Sequence, residues 1–227
     1  MTDSQPDEYV STQNYSKRFS DAVGQYYLKK QREIILEYLG ELRVKSILEI
    51  GAGHAQICND LHRAGYDVTC VVSAKECAEK ISKELKIIVH PILEFMPSKS
   101  FDCIIALKTL GHVDNFEEFL KSFVGYSRVI IIDYPSNFSF ARFNNVGYSV
   151  KRLIEKKLRQ FSPLSPRIVR STMLNLGYSL YSSKGLFFLP IAFYRFFRKE
   201  SVIEKIEKCL NFDFFKSPRI ECYLRTL

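Results

Sequence analysis

Glu49 stands two residues before Gly51, and Gly53 follows two later, in the run Ile47-Leu48-Glu49-Ile50-Gly51-Ala52-Gly53-His54-Ala55. An apolar strand that ends in a carboxylate and then in spaced glycines lets the backbone approach a nucleotide-like ligand. The approach is at the carboxyl end of the strand, where open α/β sheets bind. A dinucleotide fingerprint needs Gly or Ala three positions after its second glycine, but Gln56 occupies that place, so NAD is disfavoured. No Gly-Lys-Ser/Thr follows, which excludes a Walker phosphate loop.

The elements that must position this turn are legible as alternating periods. Apolar residues at helical spacing predict an amphipathic helix over Tyr26 to Leu39, ended by Gly40. Strands are expected at Ser46 to Ile50, Asp67 to Val72, Ile87 to His90, Phe101 to Leu107 and Val129 to Asp133. Helices are expected between them at Gln56 to Ala64, Ala74 to Leu85 and Asn115 to Phe123. This alternation predicts an α/β protein: a Rossmann-like, mostly parallel sheet of about seven strands with helices on both faces.

Beyond Pro135 the alternation lapses over 136–163, read as an insertion with a basic helix around Val150 to Gln160. Pro166 and Gly177 frame a further helix, Tyr178 to Ser183 reads as a strand, Ser201 to Leu210 as a helix and Ile220 to Arg225 as a closing strand. The expected organisation is a polar N-terminal segment, 1–25, followed by one domain over 26–227.

Leu48 to Gly53 resembles the first motif of class I S-adenosylmethionine-dependent methyltransferases, in which an acid stands two before the first glycine. Phe101 to Leu107 with Gly111, His112, Val113 and Asp114 is similar to that family's fourth strand and following loop. Phe119 and Leu120 fit the helix behind it, and Val129 to Asp133 the fifth strand. The likeness covers roughly residues 26 to 134 well and the tail loosely.

It implies S-adenosylmethionine as cofactor, held by Glu49, Gly51, Ala52, Gly53, Ser73, Leu93, Glu94 and Leu107. Glu49 would order the cofactor's cationic amino group, a role that suits a carboxylate at a strand end. One departure stands out. The family usually ends its second strand with an acid that binds both ribose hydroxyls, and this chain has Val71, Val72 and Ser73, whose single hydroxyl replaces a bidentate acceptor poorly.

Methyl transfer from a sulfonium is an in-line displacement in which positioning does most of the work, and a base is needed only if the acceptor must lose a proton. His112, after the fourth strand, is the candidate base; the alternative is a loop histidine bonded to backbone. Tyr134 could line the acceptor pocket or be structural. Tyr15, Lys17, Arg18 and Tyr26 could form a lid over the cofactor or a solvated helix. His54 is read as a loop residue and His62 as lying on a solvated helix face.

The length of 227 residues suits one large domain, and 46% hydrophobic with 26% charged residues is an ordinary globular balance. Cysteines 58, 70, 77, 103, 209 and 222 form no CxxC pair, so they read as reduced thiols with no metal site, consistent with a cytoplasmic protein. The start carries Asp3, Asp7 and Glu8 and lacks a secretory pattern, while Pro190 and Arg195 interrupt the longest apolar stretch, Leu186 to Phe197.

Of the net charge of +8, the segment 142–199 carries +11, and the remainder is mildly acidic. That segment also holds many aromatics, among them Phe187, Phe188, Phe193, Tyr194, Phe196 and Phe197. Basic and aromatic residues together suit a cap over a lipophilic or anionic small or lipid-linked acceptor, or peripheral contact with an anionic membrane. No nucleic-acid motif accompanies them, which disfavours nucleic acid. Two readings follow: a methyltransferase, or a noncatalytic relative that keeps the sheet as a binding module docking an anionic membrane or partner.

Overall fold

The computed structural model describes residues 19–53, 57–139, 163–197, 199–210 and 212–226. Seven strands form one sheet: β1 Ser46–Ile50, β2 Asp67–Val72, β3 Lys86–Val89, β4 Phe101–Ala106, β5 Ser127–Tyr134, β6 Tyr178–Phe187 and β7 Ser217–Arg225. Their order is β3-β2-β1-β4-β5-β7-β6. The first five run parallel, and β7 lies antiparallel to both β5 and β6. The expected Rossmann-like sheet is the observed one. Its order reverses between β1 and β4, which opens a crevice at the carboxyl ends of the strands.

β1, β4 and β5 are apolar runs without alternation because both faces are covered. One face packs Ile47, Cys70, Ile105, Val129 and Ile131 against α1 (Ala22–Glu41). The other packs Leu48, Ile104, Ile130 and Ile132 against Phe119, Val169 and Met173. Phe119 belongs to α4 (Phe116–Lys121) and the latter two to α5 (Pro166–Asn175). α1 begins four residues before the predicted start because Asp21 caps it, its carboxylate accepting from the Gly24 N–H at 2.7 Å, a bond worth about 1 kcal/mol.

Helix prediction overreached after β2, where Ala74 to Leu85 yields only α3, Lys75–Ala78. Asn59, on α2 (Cys58–Arg63), accepts from the Ser82 N–H at 3.0 Å and so draws away a backbone group that a longer helix would use. The predicted strands at Tyr178 and Ile220 extend to Phe187 and back to Ser217, because each fills the other's ladder. The short α6 (Ile191–Tyr194) and α7 (Glu200–Cys209) lie between them, and α7 packs on α1.

The basic helix at Val150 to Gln160 and most of the 136–163 insertion lie outside the described residues. The two ends of that segment are held together: the Asn137 N–H donates to the Leu164 carbonyl at 2.9 Å, and the Leu164 N–H to Pro135 at 2.8 Å. Among the described residues no helix is long and apolar enough to cross a membrane.

Candidate active site at the carboxyl ends of the strands

The glycine turn leaves β1 with Gly51 at φ 79° and Gly53 at φ 45°, backbone that a side chain rarely adopts. The Gly51 and Ala52 N–H groups both donate to the Val71 carbonyl, at 2.9 and 3.2 Å, which ties the turn to β2. Gly51, Ala52 and Gly53 are buried, and His54, Ala55 and Gln56 lie outside the described residues.

Glu49 is 3% exposed, and its Oε2 has no hydrogen-bond partner among the described residues. Burial pushes its carboxyl up to about 8, with the charge of Lys108 acting the other way. The same face carries Asp133. Strand register fixes this placement, since Glu49 pairs with Ile105 and Ile105 with Ile131, two residues before Asp133. Asp133 is 2% exposed, and its Oδ2 accepts from Gln31 Nε2 at 2.9 Å and from the Tyr27 hydroxyl at 3.4 Å. Burial pushes its carboxyl up to about 6, against the pull of the Lys108 N–H and ammonium.

Lys108, directly after Leu107, lies within reach of the charges of both carboxylates, that of Asp133 acting on it more strongly than that of Glu49. Its φ is 55°, and its backbone N–H donates to Asp133 Oδ1 in a short hydrogen bond. Burial holds its ammonium down to about 7, with Asp133 and Glu49 opposing. Its Nζ sits 4.1 Å from the Phe19 ring centroid and 5.0 Å from that of Tyr27. Phe19 reaches this point because Gly24 lets the chain fold back: a Cβ there would lie 2.2 Å from the Phe19 Cα.

Sequence reasoning missed Lys108, Asp133, Tyr27 and Gln31. The signal was a charged residue closing each of two otherwise apolar runs, Cys103 to Leu107 and Val129 to Ile132.

The other expected cofactor residues line the same edge unevenly. Ser73 follows β2, and its hydroxyl accepts from the Ile92 N–H at 3.3 Å. Leu93 is partly buried against the second core face, Glu94 is exposed in the following turn, and Leu107 is buried. Val72, where the family places its ribose acid, is fully buried in the core.

His112 ends a short 3-10 turn, Leu110–His112, and is half-buried, with its N–H donating to Thr109 at 2.9 Å. Tyr134, next to Asp133 on β5, points to the opposite face, where it is 1% exposed. Burial and the Glu221 charge hold its hydroxyl far above the ordinary range. Glu221 itself is fully buried and accepts from Arg170 Nη2 at 2.7 Å and Ser183 Oγ at 3.0 Å.

Tyr26 faces away from the strand ends and lines a cavity of about 240 Å³ with Lys30, Glu204, Glu207, Lys208 and Lys216. Tyr15, Lys17 and Arg18 lie outside the described residues. His62 pairs with Glu84 at 3.2 Å on the surface.

Glu49 Oε, Cys58 Sγ and Cys70 Sγ lie within 4.8 Å of one another, a spacing compatible with a metal ion. The Cys58 thiol is held far above its ordinary range by its hydrogen bond to Cys70 and by burial, so Cys58 rests as a thiol.

An orphaned buried carboxylate oxygen beside a cradle of left-handed glycines suits a ligand with a cationic amino group on a nucleoside, which is the chemistry of S-adenosylmethionine. Residues 24–179 match the family model described as a methyltransferase domain. The chain therefore belongs to that family, the class I S-adenosylmethionine-dependent methyltransferases. A ubiquinone biosynthesis O-methyltransferase of Rickettsia felis is 28% identical over 101 residues, 41% of this chain and 41% of that protein. The match thus spans about two-fifths of that relative's length.

Among solved structures, magnesium protoporphyrin IX methyltransferase from Synechocystis with bound S-adenosylhomocysteine superposes with a TM-score of 0.69 at 11% identity, covering 97% of this chain and 98% of that one. The CcbJ methyltransferase from Streptomyces caelestis gives 0.56 at 10% identity, covering 86% and 89%. At these identities the superpositions establish the fold.

Proposed function

We propose that this chain moves the methyl group of S-adenosylmethionine to an oxygen, nitrogen or carbon of a small or lipid-linked, anionic acceptor. The observation that carries the reading is the buried, unpartnered Glu49 Oε2 beside the glycine turn. When bound, the cofactor supplies a methyl group on a cationic sulfur: the acceptor lone pair forms the new bond, and the C–S pair stays on sulfur as a neutral thioether.

Glu49 would hold the cofactor's ammonium, with Gly51 to Gly53 around its nucleoside and Ser73, Leu93, Glu94 and Leu107 along its sides. Because Val72 offers no carboxylate to the ribose, binding leans on Glu49. His112 would take a proton from an acceptor that must lose one. Tyr134 would support the acceptor side from the opposite face of β5.

Support for a lipophilic acceptor comes from a chain of ring contacts. Phe138 meets Phe214 at 5.8 Å, Phe214 meets Phe215 at 5.3 Å, and Phe188 meets Phe215 and Phe212 at 6.5 and 6.0 Å. Phe138, Phe212, Phe214 and Phe215 are all exposed, a grouping that suits an apolar ligand or a membrane surface. A cytoplasmic site of action suits its free thiols, five of the six buried.

Calorimetric titration with S-adenosylmethionine and S-adenosylhomocysteine tests the reading. Wild type binds both, and Gly51→Arg abolishes binding while the protein stays folded. Labelled methyl from the cofactor is then followed into organic-soluble and aqueous acceptors. No binding by folded wild type would favour the noncatalytic module, a reading that rests on the apolar, fully buried Val72 at the end of β2.

A further inference from the structure

Beside the Glu49 carboxyl lie two thiols that methyl transfer does not use. Glu49 on β1 and Cys70 on β2 are direct partners in the parallel ladder, so their side chains stand next to each other on one face of the sheet. Cys58 opens α2, beyond the glycine turn, and packs into the same core as Cys70. The three donor atoms, Glu49 Oε and the two Sγ, lie within 4.8 Å of one another. Sequence spacing does not announce the group: eleven residues separate the two cysteines, and strand register rather than a CxxC turn brings the donors together.

Buried thiols commonly serve as small hydrophobes, and two of them packed against aliphatic side chains would need no further account. Here the third member is a carboxyl that is 3% exposed and whose Oε2 has no hydrogen-bond partner among the described residues. Both cysteines are fully buried and free. A thiol is a weak hydrogen-bond donor, so neither one answers a buried carboxylate well. A cation does. Two thiolates and one carboxylate form the donor set of a borderline-soft ion such as zinc, with bonds of about 2.3 Å to sulfur and 2.0–2.2 Å to oxygen. Tetrahedral bonds of that length hold two sulfurs about 3.8 Å apart, so side-chain adjustments of about 1 Å close the group on an ion. Calcium and magnesium are disfavoured, because they require a shell of oxygens that this group lacks.

We propose that Glu49, Cys58 and Cys70 form a binding site for one thiophilic divalent cation, of which zinc is the type, and that this ion and the cofactor exclude one another. The site stands on the placement of its donors; only the exclusion rests on the reading of Glu49 as the partner of the cofactor's amino group. As the ion binds, each S–H proton passes to solvent, the freed sulfur pair forms the bond to the metal, and no electron is transferred. A carboxylate bonded to the metal no longer has its charge available for an ammonium. The ion ties β1, β2 and α2 together across the glycine turn and holds the protein in a cofactor-free state.

Reduced protein titrated with cobalt(II), whose bonds to thiolate absorb in the near ultraviolet, tests the site, and zinc then displaces the cobalt with free metal set by a chelator buffer. Wild type takes up one ion. Cys58→Ser and Cys70→Ala each lower zinc affinity by more than about 100-fold and Glu49→Gln by at least about tenfold, where an outer-shell partner is worth 10- to 100-fold. Cys209→Ser, which removes the exposed thiol, binds as wild type does. X-ray absorption at the zinc edge of the wild-type complex needs no variant and should show two sulfurs at about 2.3 Å with oxygen at about 2.0–2.2 Å. S-adenosylhomocysteine at about 100 times its Kd should weaken zinc binding about 100-fold, and zinc should weaken its binding reciprocally.

No thiolate-to-metal absorption in reduced, folded wild type overturns the proposal. So does absorption that survives in folded Cys58→Ser and Cys70→Ala, or a zinc edge without sulfur neighbours. Zinc and S-adenosylhomocysteine bound together without mutual effect overturn the exclusion and leave the functional reading intact. Zinc binding by a folded protein that takes up no S-adenosylhomocysteine overturns the functional reading and leaves the metal site standing.

Discussion

Replacing Glu49 with Gln should weaken cofactor binding and strengthen the fold, and it is this opposition of signs that tests the site. Glu49 is 3% exposed and its carboxyl stands near 8 against an ordinary 4.5. At about 1.4 kcal/mol per unit, the burial of its charge sets a ceiling of about 5 kcal/mol on what the fold forgoes above pH 8. The Gln amide must itself be desolvated at a cost of about 1–3 kcal/mol, so the net gain is at most about 2–4 kcal/mol. In a domain of this size that raises the unfolding midpoint by up to roughly 4–16 °C.

The gain follows a definite sign with pH. A folded carboxyl that titrates above its unfolded value binds protons more tightly when folded, so its contribution to stability falls as pH rises between 4.5 and 8. The advantage of Gln is therefore full at pH 8.5 and absent near pH 4.5. Binding moves the other way. Losing one charge-assisted hydrogen bond costs about 1.5–3 kcal/mol, or roughly 10- to 150-fold in the dissociation constant for S-adenosylhomocysteine. Circular dichroism melts at pH 5 and 8.5, with calorimetry at pH 8, read both arms. Affinity within twofold of wild type, or a variant less stable at both pH values, refutes the reasoning.

Ligand-free wild type should show a trough in stability between pH 7 and 8 from this cluster. Glu49 and Asp133, both raised, subtract stability as pH rises from about 4 to 8, and Lys108, lowered, adds it from 7 towards 10.5; urea unfolding at pH 5, 7.5 and 9 measures the curve, and Lys108→Met removes its alkaline limb. Val72→Asp should destabilise the ligand-free fold by about 3 kcal/mol, because a carboxylate enters a fully buried site, while saturating S-adenosylhomocysteine raises its midpoint more than that of wild type. An equal ligand-induced shift in the two proteins would show that this position does not face the ribose. Tyr134→Phe should leave S-adenosylhomocysteine affinity within twofold and stability equal or up to about 1 kcal/mol higher, since it removes a buried hydroxyl that has no hydrogen-bond partner among the described residues.

The sheet was legible because its strands are buried on both faces and so read as unbroken apolar runs, of which Val129 to Ile132 is the plainest. The glycine turn was legible because spaced glycines after such a run have few other uses. The end of α3 was not legible. It depends on Asn59, some twenty residues earlier in the chain, accepting from Ser82, and that contact has no local trace in the sequence. Tyr134 was chosen for its place after β5, yet the two-residue period of a strand sends it to the face opposite Glu49 and gives its neighbour Asp133 the position at the site.

Lys108 and Asp133 escaped for a different reason. Each is a single charge after an apolar strand, an arrangement that ordinarily marks the chain leaving the core for solvent. Here register places Asp133 on the face that α1 covers, and the N–H of Lys108 is drawn inward onto it. The consequence reaches the binding energy. With Val72 contributing no carboxylate at the end of β2, the charged recognition available to a cofactor is concentrated at its amino-acid end, on Glu49.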